Sequence, residues 1–133
     1  AQFNQLAKEL FDAYPENVEF KKNLAISCQF LGNTHNALGN LDRTLTFFEQ
    51  YHQLAKELVD DYPQNVDFKY GLALSYQCLG SFYEDQLEDL NQAQKYYHQS
   101  KKLLLELVSS FPGYVEFEQN LDWVTNKLPD EPH

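Results

Sequence analysis

Apolar residues recur every three to four positions along most of the chain, which is the period of an α-helix with one buried face. After Pro63, for example, they fall at Phe68, Leu72, Leu79 and Phe82. No segment alternates apolar and polar residues with the two-residue period of a strand. Prolines and glycines interrupt the pattern and mark the turns. The predicted helices cover residues 2–13, 16–37, 41–61, 64–85, 89–110 and 114–128.

The helical pattern is repeated along the chain. Residues 6–32 and 54–80 share 18 identities over 27 aligned positions at a shift of 48 residues, and a weaker third copy follows at a shift of 49. Each copy contains two helices joined by a turn, so the sequence predicts a single array of helical pairs over residues 1–133. We expect this array to divide into the second helix of a truncated upstream repeat at 1–14, repeats at 15–62 and 63–111, and a C-terminal capping helix with a polar tail at 112–133.

Each complete repeat combines a glycine on its first helix with an aromatic ring on its second. Gly32 and Gly80 occupy the same repeat position, and so do Phe48 and Tyr97. A residue without a side chain lets two helices approach closely, and a large ring fills the remaining space between them. We therefore expect each ring to pack on the glycine of its own helical pair.

The second repeat carries the spacing Tyr76-x2-Leu79-Gly80-x2-Tyr83, followed by Ala93. With these residues the chain resembles the tetratricopeptide (TPR) repeat family, whose unit has about 34 residues. The unit here has 48 residues, and the excess of about 14 lengthens both antiparallel helices by two turns, which preserves their pairing. The resemblance implies an all-α fold, arranged as an α–α superhelix in which antiparallel helix pairs form a right-handed solenoid.

The charge of the chain limits its partners. Among 133 residues, 10 Lys and Arg oppose 20 Asp and Glu, which gives a formal net charge of −10 at pH 7. A surface of this sign repels phosphate backbones and anionic lipid headgroups, so no nucleic acid and no membrane is expected as a partner. The longest apolar runs contain only a few residues, whereas a membrane-spanning helix needs about 20. Four acidic residues cluster at one turn, where solvation is expected and weak cation binding is the alternative: Glu84, Asp85, Glu88 and Asp89.

The sequence contains no motif of catalysis or of cofactor binding: GxGxxG, GxxxxGK[ST], HExxH and GxSxG are all missing. We therefore predict no enzyme, no cofactor and no metal site. Cys28 and Cys78 are predicted to be buried thiols of a reducing compartment, which favours a cytoplasmic location. A disulfide between them requires their helices to be neighbours. His35 is expected to pack in the core rather than to act as a base.

The resemblance also implies a binding surface. In the tetratricopeptide family, the first helices of successive repeats line a concave groove that receives a peptide or protein partner. The corresponding positions of this chain combine apolar anchors with amides that can bond a partner's backbone. They are Lys22, Ile26, Gln29, Asn33, Tyr70, Leu74, Gln77, Ser81, Gln119, Trp123 and Asn126. The alternative for the stripe Ile26, Leu74 and Trp123 is packing against the neighbouring helix.

The function predicted from these features is that of a non-catalytic protein–protein interaction scaffold. Since the surface is acidic, we expect a protein or peptide partner of basic or neutral apolar character, not an acidic one. The alternative is a structural spacer, or a self-association or regulatory segment, within a larger signalling protein. The first helix carries an apolar stripe without a covering helix, and this stripe is predicted to form a homodimer with a second copy of the chain. The stripe consists of Phe3, Leu6, Leu10 and Phe11.

Overall fold

The regular structure of the chain is helical. The computed structural model describes the backbone of residues 2–129 and the side chains of residues 4–129, and no residue within that part of the chain lies in a strand. The all-α prediction is confirmed, and the helix ends lie within two residues of the predicted ones. The helices described are α1 (Gln2–Ala13), α2 (Val18–Ala37), α3 (Leu41–Asp61), α4 (Val66–Asp85), α5 (Leu90–Ser110) and α6 (Val115–Asn126). None of these helices has the length and apolar character that crossing a lipid bilayer requires.

The helices α2 and α4 start two residues later than predicted because an asparagine caps each of them. Asn17 Oδ1 accepts a hydrogen bond from the backbone N–H of Phe20 at 3.1 Å, and Asn65 Oδ1 accepts one from that of Phe68 at 3.0 Å. Each cap satisfies an N–H group that the first turn of a helix leaves unpaired. The preceding proline therefore lies in the turn and not in the helix.

The helices α3 and α5 also begin with a side-chain cap. Asn40 Oδ1 and Asp89 Oδ1 accept hydrogen bonds from backbone N–H groups in the first turns of α3 and α5 respectively. The residue before each cap has a positive φ, which is 79° at Gly39 and 53° at Glu88. This left-handed conformation suits glycine, whereas at Glu88 it requires some backbone strain.

The chain divides into two compact units, of which the first contains residues 1–68. Within this unit, α2 packs against both α1 and α3. The backbone of Gly32 lies so close to the Phe48 ring that an added β-carbon would overlap the ring carbons. The predicted contact between glycine and ring is confirmed here. The buried side chains of the unit include Ala7, Leu24, Cys28, Leu31, Tyr51, Leu54 and Leu58.

The second unit contains residues 69–133, in which α5 packs against α6. Tyr97 fills the space beside Gly80, where an added β-carbon would lie 2.5 Å from the Tyr97 Cε1 atom. The predicted contact is confirmed in this pair as well. The Ser100 hydroxyl donates a hydrogen bond to the Ala73 carbonyl at 2.9 Å, so a buried polar contact joins α5 to α4. The buried side chains of the unit include Leu72, Leu79, Phe82, Leu104, Leu107, Phe117 and Val124.

Candidate interaction surface

The predicted groove residues of α2 lie on a face with an exposed apolar centre. Ile26 is 44% exposed, and Phe30, one helical turn further along, is 64% exposed. Asn33, which is on the same face at a spacing of seven from Ile26, is also exposed. Lys22 and Gln29 are half-buried. Two large apolar side chains therefore lie side by side at the surface of the first unit.

Phe30 was not among the predicted groove residues. The aligned positions of the later repeats hold Cys78 and Lys127. Because a large apolar residue does not recur at this repeat position, comparison of the repeats does not identify Phe30. The signal that does identify Phe30 is its spacing of four residues from Ile26, because side chains four apart are neighbours on a helix surface.

The predicted groove residues of α4 are half-buried, and two of them are hydrogen-bonded to α6. The Tyr70 hydroxyl donates to Glu116 Oε1 at 2.7 Å and accepts from Asn120 Nδ2 at 3.0 Å. Gln77 Nε2 donates to Asn120 Oδ1 at 3.3 Å. Burial and the hydrogen bond to Glu116 raise the pKa of Tyr70, so its hydroxyl stays a donor. Asn120, which was not predicted, thus joins two predicted residues in one polar network.

The other predicted residues of the second unit differ in exposure. Leu74 and Ser81 on α4 are half-buried, whereas Gln119 and Asn126 on α6 are exposed. Trp123 is 39% exposed, and its ring contacts the buried Tyr97 ring edge-to-face, with centroids 5.8 Å apart and planes at 80°. Trp123 therefore packs on the core with one part of its ring and reaches solvent with the rest.

A cavity of about 450 Å³ lies between α1, α2 and α3 in the first unit. Apolar side chains, among them Leu24 and Leu54, alternate in its lining with the amides of Asn4 and Gln50. The Cys28 thiol in this cavity donates a hydrogen bond to Gln50 Oε1 at 3.6 Å. The size of this cavity falls in the range of small-ligand sites, and its lining also includes the charged side chains of Lys8 and Asp12.

Both cysteines are free thiols, and burial opposes their ionisation. Burial raises the pKa of Cys28 to about 11, although hydrogen bonds with Ser27 and Asn4 act in the opposite direction. Burial alone raises the pKa of Cys78 to about 12. Because the thiolate is the nucleophile and the metal ligand, neither sulfur is activated for chemistry at neutral pH.

His35 packs against an aromatic ring. Its half-buried ring lies parallel to the Phe47 ring, with centroids 5.6 Å apart and an angle of 5° between the planes. The ring therefore contributes to the packing between α2 and α3, although it is half-buried and not enclosed in the core as expected. His52 on α3 is also half-buried, and its pKa is lowered by burial and by the charge of Lys56.

Among the described residues, no group of three or more His, Cys, Asp or Glu side chains is arranged to hold a metal ion. In the acidic cluster at the end of α4 and in the turn that follows it, Glu84 on α4 accepts a hydrogen bond from the Tyr97 hydroxyl at 2.7 Å and pairs with Lys127 Nζ at 3.4 Å. The other three carboxylate residues of the turn are exposed. The turn is thus partly solvated and partly tied to α5 and α6.

The apolar stripe of α1 is partly covered. Leu6 is exposed, whereas Leu10 and Phe11 are half-buried, and Lys21 Nζ lies 5.9 Å from the centre of the Phe11 ring. The side chain of Phe3 and the predicted polar tail at 130–133 lie outside the described residues. Pairing of this stripe with a second copy of the chain stays a prediction.

The chain matches no protein-family model, no curated protein and no solved structure. The resemblance to the tetratricopeptide repeat therefore depends on the residues of the repeat itself. The packing within each helical pair and the exposure of the predicted residues do not depend on that resemblance.

Proposed function

We propose that the chain is a non-catalytic interaction scaffold that binds a peptide or protein partner on the first helices of its repeats. In this proposal the repeats are of the tetratricopeptide type, and successive helix pairs continue one another as a right-handed superhelix with a concave groove. The 48-residue repeat and the glycine–ring contact in the two complete pairs support this arrangement.

The observation that carries the proposal is the exposed pair Ile26 and Phe30 on α2. The opposite side of α2 is already packed against α1 and α3, so the exposed pair is not needed for packing within the unit. Burying a fully exposed apolar side chain contributes about 1.5–3 kcal/mol, and because Ile26 is 44% and Phe30 is 64% exposed, roughly half of that remains available from each on binding. Because the two side chains are neighbours on one helix face, they can enter a partner's pocket together as anchors.

The charge of the chain indicates the chemistry of the partner. With a formal net charge of −10, the surface attracts cationic segments and repels acidic ones. Exposed amides flank this pair, with Asn23 three residues before Ile26 and Asn33 three residues after Phe30, and they can bond the backbone of a partner. We therefore propose a partner segment that combines apolar anchors with basic or neutral residues.

The titration behaviour of the buried groups supports a non-catalytic role. The pKa values of Cys28, Cys78, Tyr70 and Tyr97 are all raised, each chiefly by burial, so these side chains stay neutral near pH 7. A general acid, a general base or a thiolate nucleophile needs a pKa moved toward the working pH. The pKa values of these four groups are instead moved further above pH 7.

The test of the proposal is the double variant Ile26→Ala/Phe30→Ala, compared with Leu38→Ala. Leu38 follows the last residue of α2 and is even more exposed, at 74%, so its removal controls for loss of surface apolar area. Proteins retained from a native extract by each chain are quantified by mass spectrometry, and a purified partner is then titrated by calorimetry. We expect the double variant to lose about tenfold or more in affinity, and Leu38→Ala to bind like the wild type.

Circular dichroism and thermal unfolding serve as the folding control, since truncating exposed side chains changes stability by about 0.5 kcal/mol or less. Loss of the partner without loss of helix content supports the proposal. A partner that binds the double variant and the wild type with equal affinity would show that the exposed pair on α2 is not the binding surface.

A further inference from the structure

In the second unit, an ammonium group already lies against an aromatic ring and a carboxylate. Lys127 Nζ is 5.2 Å from the centre of the Trp123 ring and 3.4 Å from Glu84 Oε1. The same oxygen accepts the hydrogen bond of the Tyr97 hydroxyl at 2.7 Å. A cation over a tryptophan face and beside a carboxylate is held both by the ring quadrupole and by charge.

The groups around this ammonium are held in place by the core, whereas the ammonium itself is on a flexible side chain. Tyr97 is buried against Gly80, and Trp123 packs edge-to-face on the Tyr97 ring. Glu84 is fixed by the short hydrogen bond from Tyr97. Lys127 follows the last residue of α6, and its long side chain loses rotamer freedom when it is held in one position. Trp123 and Glu84 are therefore anchored by contacts with the core, whereas Lys127 reaches the site only with the end of a long side chain.

The repeat framework does not require these polar contacts. In the preceding repeat, the positions of Glu84 and Tyr97 hold Asn36 and Phe48. Phe48 fills the space beside its glycine as Tyr97 does, without a hydroxyl group. The hydroxyl, the carboxylate and the lysine of the second unit are therefore additions to a packing arrangement that forms without them.

The local charge favours a second cation. Four carboxylate residues lie in or beside the turn that follows α4, and Lys127 neutralises only one of them. Both contacts of Glu84 fall on Oε1, and an ionised carboxylate has a second oxygen that can accept from another donor. A lysine or arginine of a partner is thus attracted to this place and can compete with Lys127 for it.

We propose that Trp123, Tyr97 and Glu84 form a binding site for a lysine or arginine side chain of the partner, and that Lys127 occupies this site in the free protein. The inference rests on the proposed function, because it specifies the chemistry of the partner that the first helices bind. Lys127 is then an intramolecular competitor that the partner displaces. Removing its charge makes the site available and raises the affinity for an external cation.

The probe for the test is Nα-acetyl-lysine N-methylamide, with the norleucine analogue, which lacks the ammonium, as its control. Since the chain has a single tryptophan, the indole N–H resonance of Trp123 reports directly on the site. The variants are Lys127→Gln and Lys127→Met, and the matched control is Lys95→Gln, which makes the same change in net charge at an exposed position of α5. Thermal unfolding establishes that each variant is folded.

We expect both Lys127 variants to bind the lysine probe about fivefold more tightly than the wild type and Lys95→Gln do. The norleucine analogue should not shift the indole resonance, and adding Glu84→Gln to Lys127→Gln should remove the gain. Equal binding of the lysine probe by the Lys127 and Lys95 variants would overturn the proposal, because net charge alone would then explain it. Equal shifts of the indole resonance with the lysine and norleucine probes would also overturn the proposal, because binding would then not depend on the ammonium group.

Failure of the cation site and failure of the proposed function give different results. If the lysine probe does not distinguish the variants while Ile26→Ala/Phe30→Ala still loses its partner, the cation site is wrong and the scaffold function stands. If the Lys127 variants bind the probe more tightly, but the partner binds Ile26→Ala/Phe30→Ala as well as the wild type, the cation site is supported and the binding surface on α2 is wrong.

Discussion

Gly80→Ala is expected to lower the free energy of unfolding by about 1–2 kcal/mol, although alanine is the better helix former by about 1 kcal/mol. The new β-carbon would lie 2.5 Å from Tyr97 Cε1 and 2.7 Å from Cδ1. The ring has little room to move, because it is buried and its hydroxyl is bonded to Glu84 at 2.7 Å. The steric cost therefore exceeds the gain in helix propensity. Chemical denaturation of wild type and variant measures the difference.

Gly71→Ala is the matched control for this substitution, because Gly71 is in the same helix and a β-carbon there meets no atom within 4 Å. It is expected to stabilise the chain by about 0.5–1 kcal/mol. A Tyr97→Leu background identifies the cause, since a penalty that comes from the ring should shrink when the ring is removed. If Gly80→Ala stabilised the chain as much as Gly71→Ala, α4 and α5 would not approach as closely as described.

Leu104→Ala is expected to cost more, about 2–5 kcal/mol, because it leaves a cavity in the core of the second unit. Leu104 on α5 is completely buried, with an exposed fraction of 0%. The adjacent Leu105 is 47% exposed and provides the control: Leu105→Ala should change the free energy of unfolding by about 0.5 kcal/mol or less. Urea titration of the two variants measures both values. Equal losses at the two positions would mean that the buried face of α5 is wrongly assigned.

Much of the fold could be predicted because its local signals agree with one another. The period of the apolar residues predicts the helices, and the prolines and glycines predict where they end. Because the repeat occurs twice, the same signals mark corresponding helix ends in both copies. The contacts of Gly32 with Phe48 and of Gly80 with Tyr97 could be predicted because a small and a large residue recur together. The starts of α2 and α4 are harder to predict, because both the prolines and the asparagines two residues later are suited to a helix start, and only the hydrogen bonds of Asn17 and Asn65 identify the caps.

The candidate surface was harder to predict, because a helical period gives the face of a residue but not what covers that face. Ile26, Leu74 and Trp123 occupy one repeat position, yet Ile26 and Trp123 are exposed while Leu74 is half-buried. The contact between Glu84 and Lys127 joins residues that are 43 positions apart on different helices. Such a contact depends on packing and on the reach of a long side chain, which no local pattern contains.

We propose that the partner binds on the first helices of the repeats. Carbene footprinting of the full chain, with and without the purified partner, measures which side chains the partner covers. We expect reduced labelling of Ile26, Phe30 and Trp123, with Leu105 on α5 labelled equally in both states. Protection of Leu105 with unchanged labelling of Ile26, Phe30 and Trp123 would contradict it.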